Sequence, residues 1–129
     1  MARGTPIRRR ERVIQQKFVA LARHFLPDLL FWHTPNGEDR APRTAIVLAS
    51  MGVEAGVPDI FVPELRLFIE FKAPGGSLSA AQVEVVTELR RLGYDVVVSD
   101  DHERAFALVE ERYAALQRVN GRGSDLGRG

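Results

Sequence analysis

The chain has 129 residues, 45% of them hydrophobic, and a formal net charge of +1 at pH 7. This length predicts one domain with a single core. Cysteine is absent, which excludes disulfides, a thiol nucleophile and a thiolate metal site. No apolar run is long enough to cross a bilayer, and no signal-peptide pattern follows the basic N-terminus, so we expect a cytoplasmic protein with no membrane partner.

Arginines gather near the N-terminus, at Arg8, Arg9, Arg10 and Arg12. Such a cluster can neutralise backbone phosphates, so residues 1–10 are predicted to form a basic arm that binds nucleic acid. A solvated arm without a ligand explains the cluster equally well.

The first predicted element is an amphipathic helix from about residue 8 to residue 25. Its apolar residues recur at helical spacing, at Ile14, Phe18, Leu21 and Phe25. Glu11 extends this stripe toward the core, where an unpaired carboxylate is costly. We therefore expect a partner for Glu11, either a metal ion or a neighbouring arginine.

The apolar run 29–32 predicts a strand with Trp32 in the core, and residues 33–37 predict the turn that follows. His33 and Asn36 in this turn are candidates for contact with a substrate, although such residues are more often structural. A helix is predicted over residues 41–51. Arg40 and Arg43 at its start either line a path for DNA or lie on a solvated face.

Two strands over residues 59–62 and 67–72 are predicted to form a hairpin. If the turn is centred between Glu64 and Leu65, residues whose numbers sum to 129 face each other, so Asp59 faces Glu70. Two carboxylates in that position repel each other unless a cation lies between them. The register therefore predicts a site for a hard divalent cation such as Mg²⁺.

Alternation along the second strand places Glu70 and Lys72 on one face, opposite the apolar Leu67, Ile69 and Phe71. Lys72 can orient a water molecule and stabilise charge that develops on a phosphate. Together with a metal ion, this pair supplies the parts for hydrolysis of a phosphodiester.

A capping box, Ser79-x-x-Gln82, predicts a helix that ends near residue 92, before Gly93. Gln82 lies on the buried side of this helix, as a partner of Ser79 or directed at the strand that carries Lys72. Residues 96–98 predict a buried strand. Asp100 and Glu103 suggest the capping box of a last helix, and residues 120–129 are predicted to be a disordered tail.

Three segments closely resemble the VRR-NUC family of the PD-(D/E)xK nucleases in order and spacing. They are Gly56-Val57-Pro58-Asp59, Ile69-Glu70-Phe71-Lys72 and Gly76-Ser77-Leu78-Ser79-Ala80-Ala81-Gln82. The resemblance also includes Glu11 with Gln15, and Gly93-Tyr94-Asp95-Val96-Val97, so it covers about residues 11–103.

The resemblance implies an α/β restriction-endonuclease-like core within residues 1–119, with a mixed central sheet flanked by helices in the order α-β-α-β-β-α-β-α. It implies that Glu11, Asp59, Glu70 and the Phe71 carbonyl hold Mg²⁺ or Mn²⁺. Lys72 and Gln82 would complete the catalytic site. The phage and bacterial members of this size further imply a homodimer that acts on branched DNA such as Holliday junctions.

The predicted function is therefore that of a metal-dependent DNA endonuclease. A catalytically silent nucleic-acid-binding module on the same fold is the alternative, because a fold can persist after its catalytic activity is lost. A sequence-specific restriction enzyme is less favoured, since little chain remains for an element that reads bases.

Overall fold

The structure, a computed structural model, describes residues 5–35 and 42–128, with side chains from residue 7 to 35 and from 43 to 121. Asn36 and Arg40, two of the predicted substrate contacts, lie outside the described residues. No helix in the described ranges combines the length and the apolar character that a membrane span requires.

The helices and strands follow one another in the predicted order. Their bounds are α1 Thr5–Phe25, β1 Trp32–His33, α2 Pro42–Ser50, β2 Ile60–Val62, β3 Leu67–Phe71, α3 Ala80–Arg91, β4 Asp95–Ser99 and α4 His102–Arg128. A 3-10 helix, Pro63–Leu65, joins β2 to β3 and ends at Arg66 in the left-handed conformation.

The strands form a single mixed sheet in the order β1-β2-β3-β4. The pairs β1–β2 and β2–β3 are antiparallel, and β4 pairs with β3 in parallel. Ile60 faces Ile69, and Val62 faces Leu67. These numbers sum to 129, so the predicted hairpin register is confirmed, and Asp59 enters β2 beside Glu70.

One face of the sheet carries the core, in which β2 and β3 pack on α1 and α4. The fully buried side chains of the two strands are Ile60, Val62, Leu67, Ile69 and Phe71. They meet Phe18 and Ala22 of α1 and Ala105 and Val109 of α4. Because side chains alternate along a strand, Glu70 points to the opposite face, where α3 lies.

The first strand is shorter than predicted, because β2 offers it partners only at Ile60 and Phe61. Trp32 is 46% exposed and not in the core, which corrects the sequence interpretation. It pairs with Phe61 on the face away from the core, and the two rings lie 5.4 Å apart. Phe25 is also outside the core, at 57% exposure, and contacts Phe106.

Three further details differ from the sequence interpretation. Helix α1 begins at Thr5, earlier than the predicted start near residue 8, so Arg8, Arg9 and Arg10 of the predicted basic arm belong to the helix. The cap of α4 is Asp101 and not Asp100, because Asp101 Oδ1 accepts from the backbone N–H groups of the next turn. Strand β4 is an edge strand and not a buried one, with Val98 42% exposed.

The last helix continues to Arg128, into the segment where the sequence predicts a disordered tail. A helix that has already formed gains one hydrogen bond for each residue it adds. Glycine within a helix costs about 1 kcal/mol relative to alanine, so Gly121 weakens α4 without ending it.

Candidate active site

Two carboxylates meet where β2 begins and β3 ends. Asp59 directly precedes β2, and its Oδ2 accepts a hydrogen bond of 2.8 Å from the backbone N–H of Phe71. Glu70, one residue earlier in β3, is only 3% exposed. The confirmed hairpin register thus brings an acidic pair together within an apolar strand environment.

Within the described residues, the polar partners of Glu70 lie on one of its two carboxylate oxygens. Its Oε2 accepts from Gln82 Nε2 at 3.0 Å and lies 3.4 Å from Lys72 Nζ. Its Oε1 is buried and has no hydrogen-bond partner among the residues that the structure describes. Buried polar atoms are normally hydrogen-bonded, and exceptions point to a catalytic role or to an ion at the site.

Burial and the negative charge of Asp59 raise the pKa of Glu70 to about 8, against the opposing effect of the Lys72 ammonium group. Burial also raises the pKa of Asp59, against the hydrogen bond from Phe71 and the charges of His33 and Lys72. Like charges this close cannot both ionise without cost. At neutral pH the metal-free pair therefore holds a proton.

Gln82 performs both roles that the sequence left open. The Ser79 hydroxyl accepts from the Gln82 backbone N–H at 3.2 Å, and Gln82 Oε1 accepts from the Ser79 N–H at 2.8 Å, so the capping box is present. The amide nitrogen remains available and donates to Glu70. The start of α3 thereby fixes the side chain that orients the buried carboxylate.

Gly56 allows the loop before Asp59 to approach α3. Its φ is +90°, and a Cβ there would lie 2.6 Å from the Ala81 carbonyl oxygen and 3.0 Å from the Gln82 nitrogen. Only glycine fits this close contact with backbone. The Gly-Val-Pro-Asp segment therefore sets the position of Asp59 against the helix that carries Gln82.

Helix α1 brings Glu11 and Gln15 to the same end of the sheet. Glu11 Oε2 accepts from the backbone N–H of Ala73 at 3.3 Å, and its charge contributes to the raised pKa of Glu70. Gln15, one turn later, lies 3.0 Å from His33 Nδ1 through its Nε2 atom. Residue types alone did not identify Gln15 as part of the site. Its spacing of four residues from Glu11, which places both side chains on one face of α1, is the signal that could have done so.

The donor set suits a hard divalent cation that keeps part of its water shell. Within the described side chains, no three acidic or histidine groups are arranged to enclose a metal ion. Mg²⁺ typically takes one or two carboxylates and retains several waters. Asp59 and Glu70, whose buried Oε1 has no hydrogen-bond partner among the described residues, would supply the carboxylates. The N–H and C=O of a strand residue point to one edge, so the Phe71 carbonyl faces the side of Asp59.

Most of the predicted nucleic-acid contacts that the structure describes are exposed arginines. Arg8, Arg9, Arg10 and Arg12 lie in the turns of α1 that also carry Glu11, and Arg43 lies in the first turn of α2. His33, at the end of β1, instead contacts the protein: its Nδ1 lies 2.8 Å from the Asp59 carbonyl oxygen.

Comparisons with known proteins agree with this geometry. The family model of the VRR-NUC domain matches residues 3–100. A solved structure described as a VRR_NUC domain protein superposes with a TM-score of 0.60 at 22% sequence identity, covering 78% of this chain and 84% of that chain. A search of curated proteins finds no match. The resemblance seen in the sequence is thus confirmed, as is the mixed sheet flanked by helices, and the chain belongs to the VRR-NUC family of nuclease-type domains.

Proposed function

We propose that this protein is a metal-dependent endonuclease that hydrolyses phosphodiester bonds in DNA. The observation that carries the proposal is Glu70, a buried carboxylate beside Asp59 with one oxygen that has no hydrogen-bond partner among the described residues. Such a pair destabilises the fold when it ionises. A divalent cation is the partner that would offset both charges.

Asp59, Glu70 and the Phe71 carbonyl would hold Mg²⁺ or Mn²⁺, with Glu11 beside them. Glu11 is tied to the backbone of Ala73 at 3.3 Å, and its charge reaches Glu70. A bound divalent ion would neutralise the phosphodiester charge and polarise its phosphorus–oxygen bonds. In the net reaction, water adds to phosphorus while one ester bond breaks, which leaves a phosphate monoester and a hydroxyl group.

The ammonium group of Lys72 would place a positive charge beside the reacting phosphate. Its ammonium group lies 3.4 Å from Glu70 Oε2 and is mostly shielded from solvent, so its position is constrained before substrate binds. A fixed donor in a site of low dielectric stabilises developing negative charge more than a solvated one does. Gln82 keeps Glu70 in place from α3.

The DNA backbone would lie against the N-terminal turns of α1. Arg8, Arg9, Arg10 and Arg12 are exposed there, next to Glu11 in sequence, and arginines suit both phosphate contact and nonspecific affinity. Arg43, exposed in the first turn of α2, would extend this path.

Branched DNA such as a Holliday junction is the proposed substrate class, and a homodimer the proposed assembly. The support is the resemblance to stand-alone members of the family, together with the need for two sites to cut two strands. Light scattering after gel filtration tests the assembly. A monomeric mass at the concentration that supports cleavage would contradict it.

The central experiment compares a four-way junction, a flap and a linear duplex, each with Mg²⁺, Mn²⁺ or EDTA. We expect cleavage only with metal, and fastest on the branched substrates. Lys72→Met should lower the cleavage rate by at least about 100-fold while DNA affinity changes little. Lys17→Met, which alters an exposed lysine of α1, is the matched control. No cutting of any substrate with either metal would overturn the proposal.

A second candidate, a nucleic-acid-binding module without activity, is favoured by one observation. No three metal-binding groups converge among the described side chains. This candidate predicts DNA binding that is unchanged by EDTA and by Glu70→Gln, and that is lost when Arg9 and Arg12 are replaced by glutamine.

A further inference from the structure

His33 is held by contacts to one nitrogen of its ring. Nδ1 lies 2.8 Å from the Asp59 carbonyl oxygen and 3.0 Å from the Gln15 side-chain amide. A carbonyl oxygen only accepts, so the ring hydrogen sits on Nδ1. The structure places Gln15 Nε2 beside this nitrogen, and an N–H cannot accept from it; rotating the amide group by half a turn brings its oxygen there as a second acceptor. One tautomer and one ring orientation satisfy both neighbours.

The contact acts on Asp59 from the side opposite to its carboxylate. The Asp59 carbonyl oxygen accepts from His33 Nδ1 and also from the Thr34 backbone N–H at 2.8 Å. The side-chain Oδ2 accepts from the Phe71 N–H, also at 2.8 Å. The main chain of Asp59 is therefore tied to the end of β1, and its side chain to β3.

The two ties matter because Asp59 stands outside the regular sheet. Strand β2 begins one residue later and has only three residues, so strand pairing alone holds this position weakly. The backbone bends at Asp59 itself, and a shift there would move the carboxylate relative to Glu70.

We infer that His33, oriented by Gln15, is a positioning residue that fixes the backbone of Asp59 and so sets the direction of its carboxylate. This inference rests on the proposed nuclease function and goes beyond it, because it gives His33 a role other than contact with DNA. Nδ1 is engaged within the protein, and the contact links α1, β1 and the active site. Loss of a group that orients a metal-binding carboxylate typically costs about 10–100-fold in metal affinity or activity.

Three substitutions of His33 separate positioning from substrate contact. His33→Ala removes the ring, His33→Asn places an amide donor near the position of Nδ1, and His33→Gln places it near the position of Nε2. We expect His33→Ala to lower kcat and Mn²⁺ affinity about 10–100-fold with KM for DNA within about twofold. His33→Asn should rescue most of this loss, and His33→Gln should not. His24→Gln, at an exposed histidine of α1, is the matched control.

Two measurements do not require catalysis. Binding of Mn²⁺ without DNA should weaken in His33→Ala and recover in His33→Asn, while the midpoint of thermal unfolding reports any general loss of structure. The ¹⁵N NMR shifts of the His33 ring in the metal-free protein should show hydrogen on Nδ1. Replacing Gln15 with leucine should lower the fraction of the ring in that tautomer.

The outcomes are distinct. Rescue by glutamine but not by asparagine, a rise in KM without a fall in kcat, or a ring with hydrogen on Nε2 would overturn the inference and leave the nuclease proposal intact. A wild-type protein that neither cuts DNA nor binds Mn²⁺ would overturn both.

Discussion

Replacing Glu70 with glutamine should stabilise the metal-free protein at high pH while it abolishes cleavage. The ordinary pKa of a glutamate is 4.5, and burial next to Asp59 raises that of Glu70 to about 8. As the pH rises, the unfolded chain therefore releases this proton before the folded protein does. The contribution of Glu70 to stability is complete below pH 4.5 and falls as the pH approaches 8.

Each pKa unit corresponds to about 1.4 kcal/mol, so the shift from 4.5 to about 8 means that ionisation of Glu70 lowers the free energy of unfolding by at most about 5 kcal/mol. The raised pKa of Asp59 acts in the same direction. The introduced amide keeps an oxygen for Gln82 and cannot ionise. We expect Glu70→Gln to match the wild type within about 1 kcal/mol at pH 5, and to exceed it by roughly 2–4 kcal/mol at pH 9.

Urea denaturation in EDTA, from pH 5 to pH 9, measures this difference. Glu84→Gln, at an exposed position of α3, is the matched control and should retain the wild-type pH dependence. Excess Mn²⁺ should stabilise the wild type by about 2.7 kcal/mol at one hundred times its Kd, and should have no such effect on Glu70→Gln. Wild-type stability that rises between pH 5 and pH 9 without metal would refute the argument, as would an unchanged slope in the variant.

Two further predictions concern the backbone. Gly56→Ala should lower the free energy of unfolding by more than about 2 kcal/mol, because the new methyl group would clash with the backbone of α3. Gly75 also has a positive φ but lies in open space, so Gly75→Ala should lower it by only about 1 kcal/mol in the same urea assay. Asp101→Ala should lower the free energy of unfolding by about 1 kcal/mol, because α4 loses its N-cap. An equal loss of stability in Asp100→Ala would instead show that Asp100 is the cap, as the sequence suggests.

The parts of the site that the sequence predicted depend on short-range rules. Alternation along β3 placed Glu70 opposite the core face, and a turn centred between Glu64 and Leu65 fixed its register against Asp59. The Ser79–Gln82 capping box is likewise decided within one helical turn. In each case the partners are close in the chain, so local geometry leaves few alternatives.

The parts of the structure that the sequence did not predict depend on residues far apart in the chain, or on competition between adjacent residues for the same role. His33 meets Gln15 across 18 residues and Asp59 across 26, and no local pattern encodes these contacts. Trp32 looks like a core residue by type, yet its face is set by pairing with β2. At the start of α4, two adjacent aspartates are equally good caps by residue type, and packing of the helix decides between them.

Glu70 also shows why stability and function oppose each other at this position. An apolar side chain would suit the surroundings of β3 better. A buried carboxylate is tolerated in the folded protein only when it carries a proton or when contacts such as those from Lys72 and Gln82 offset its charge. The same contacts leave Oε1 open, and a proton on the pair occupies the place that a cation would need. Under the proposed function, a proton and a divalent ion would compete for this site. The residues around Glu70 hold its carboxylate in a position that is unfavourable when charged, and a bound cation would offset that cost.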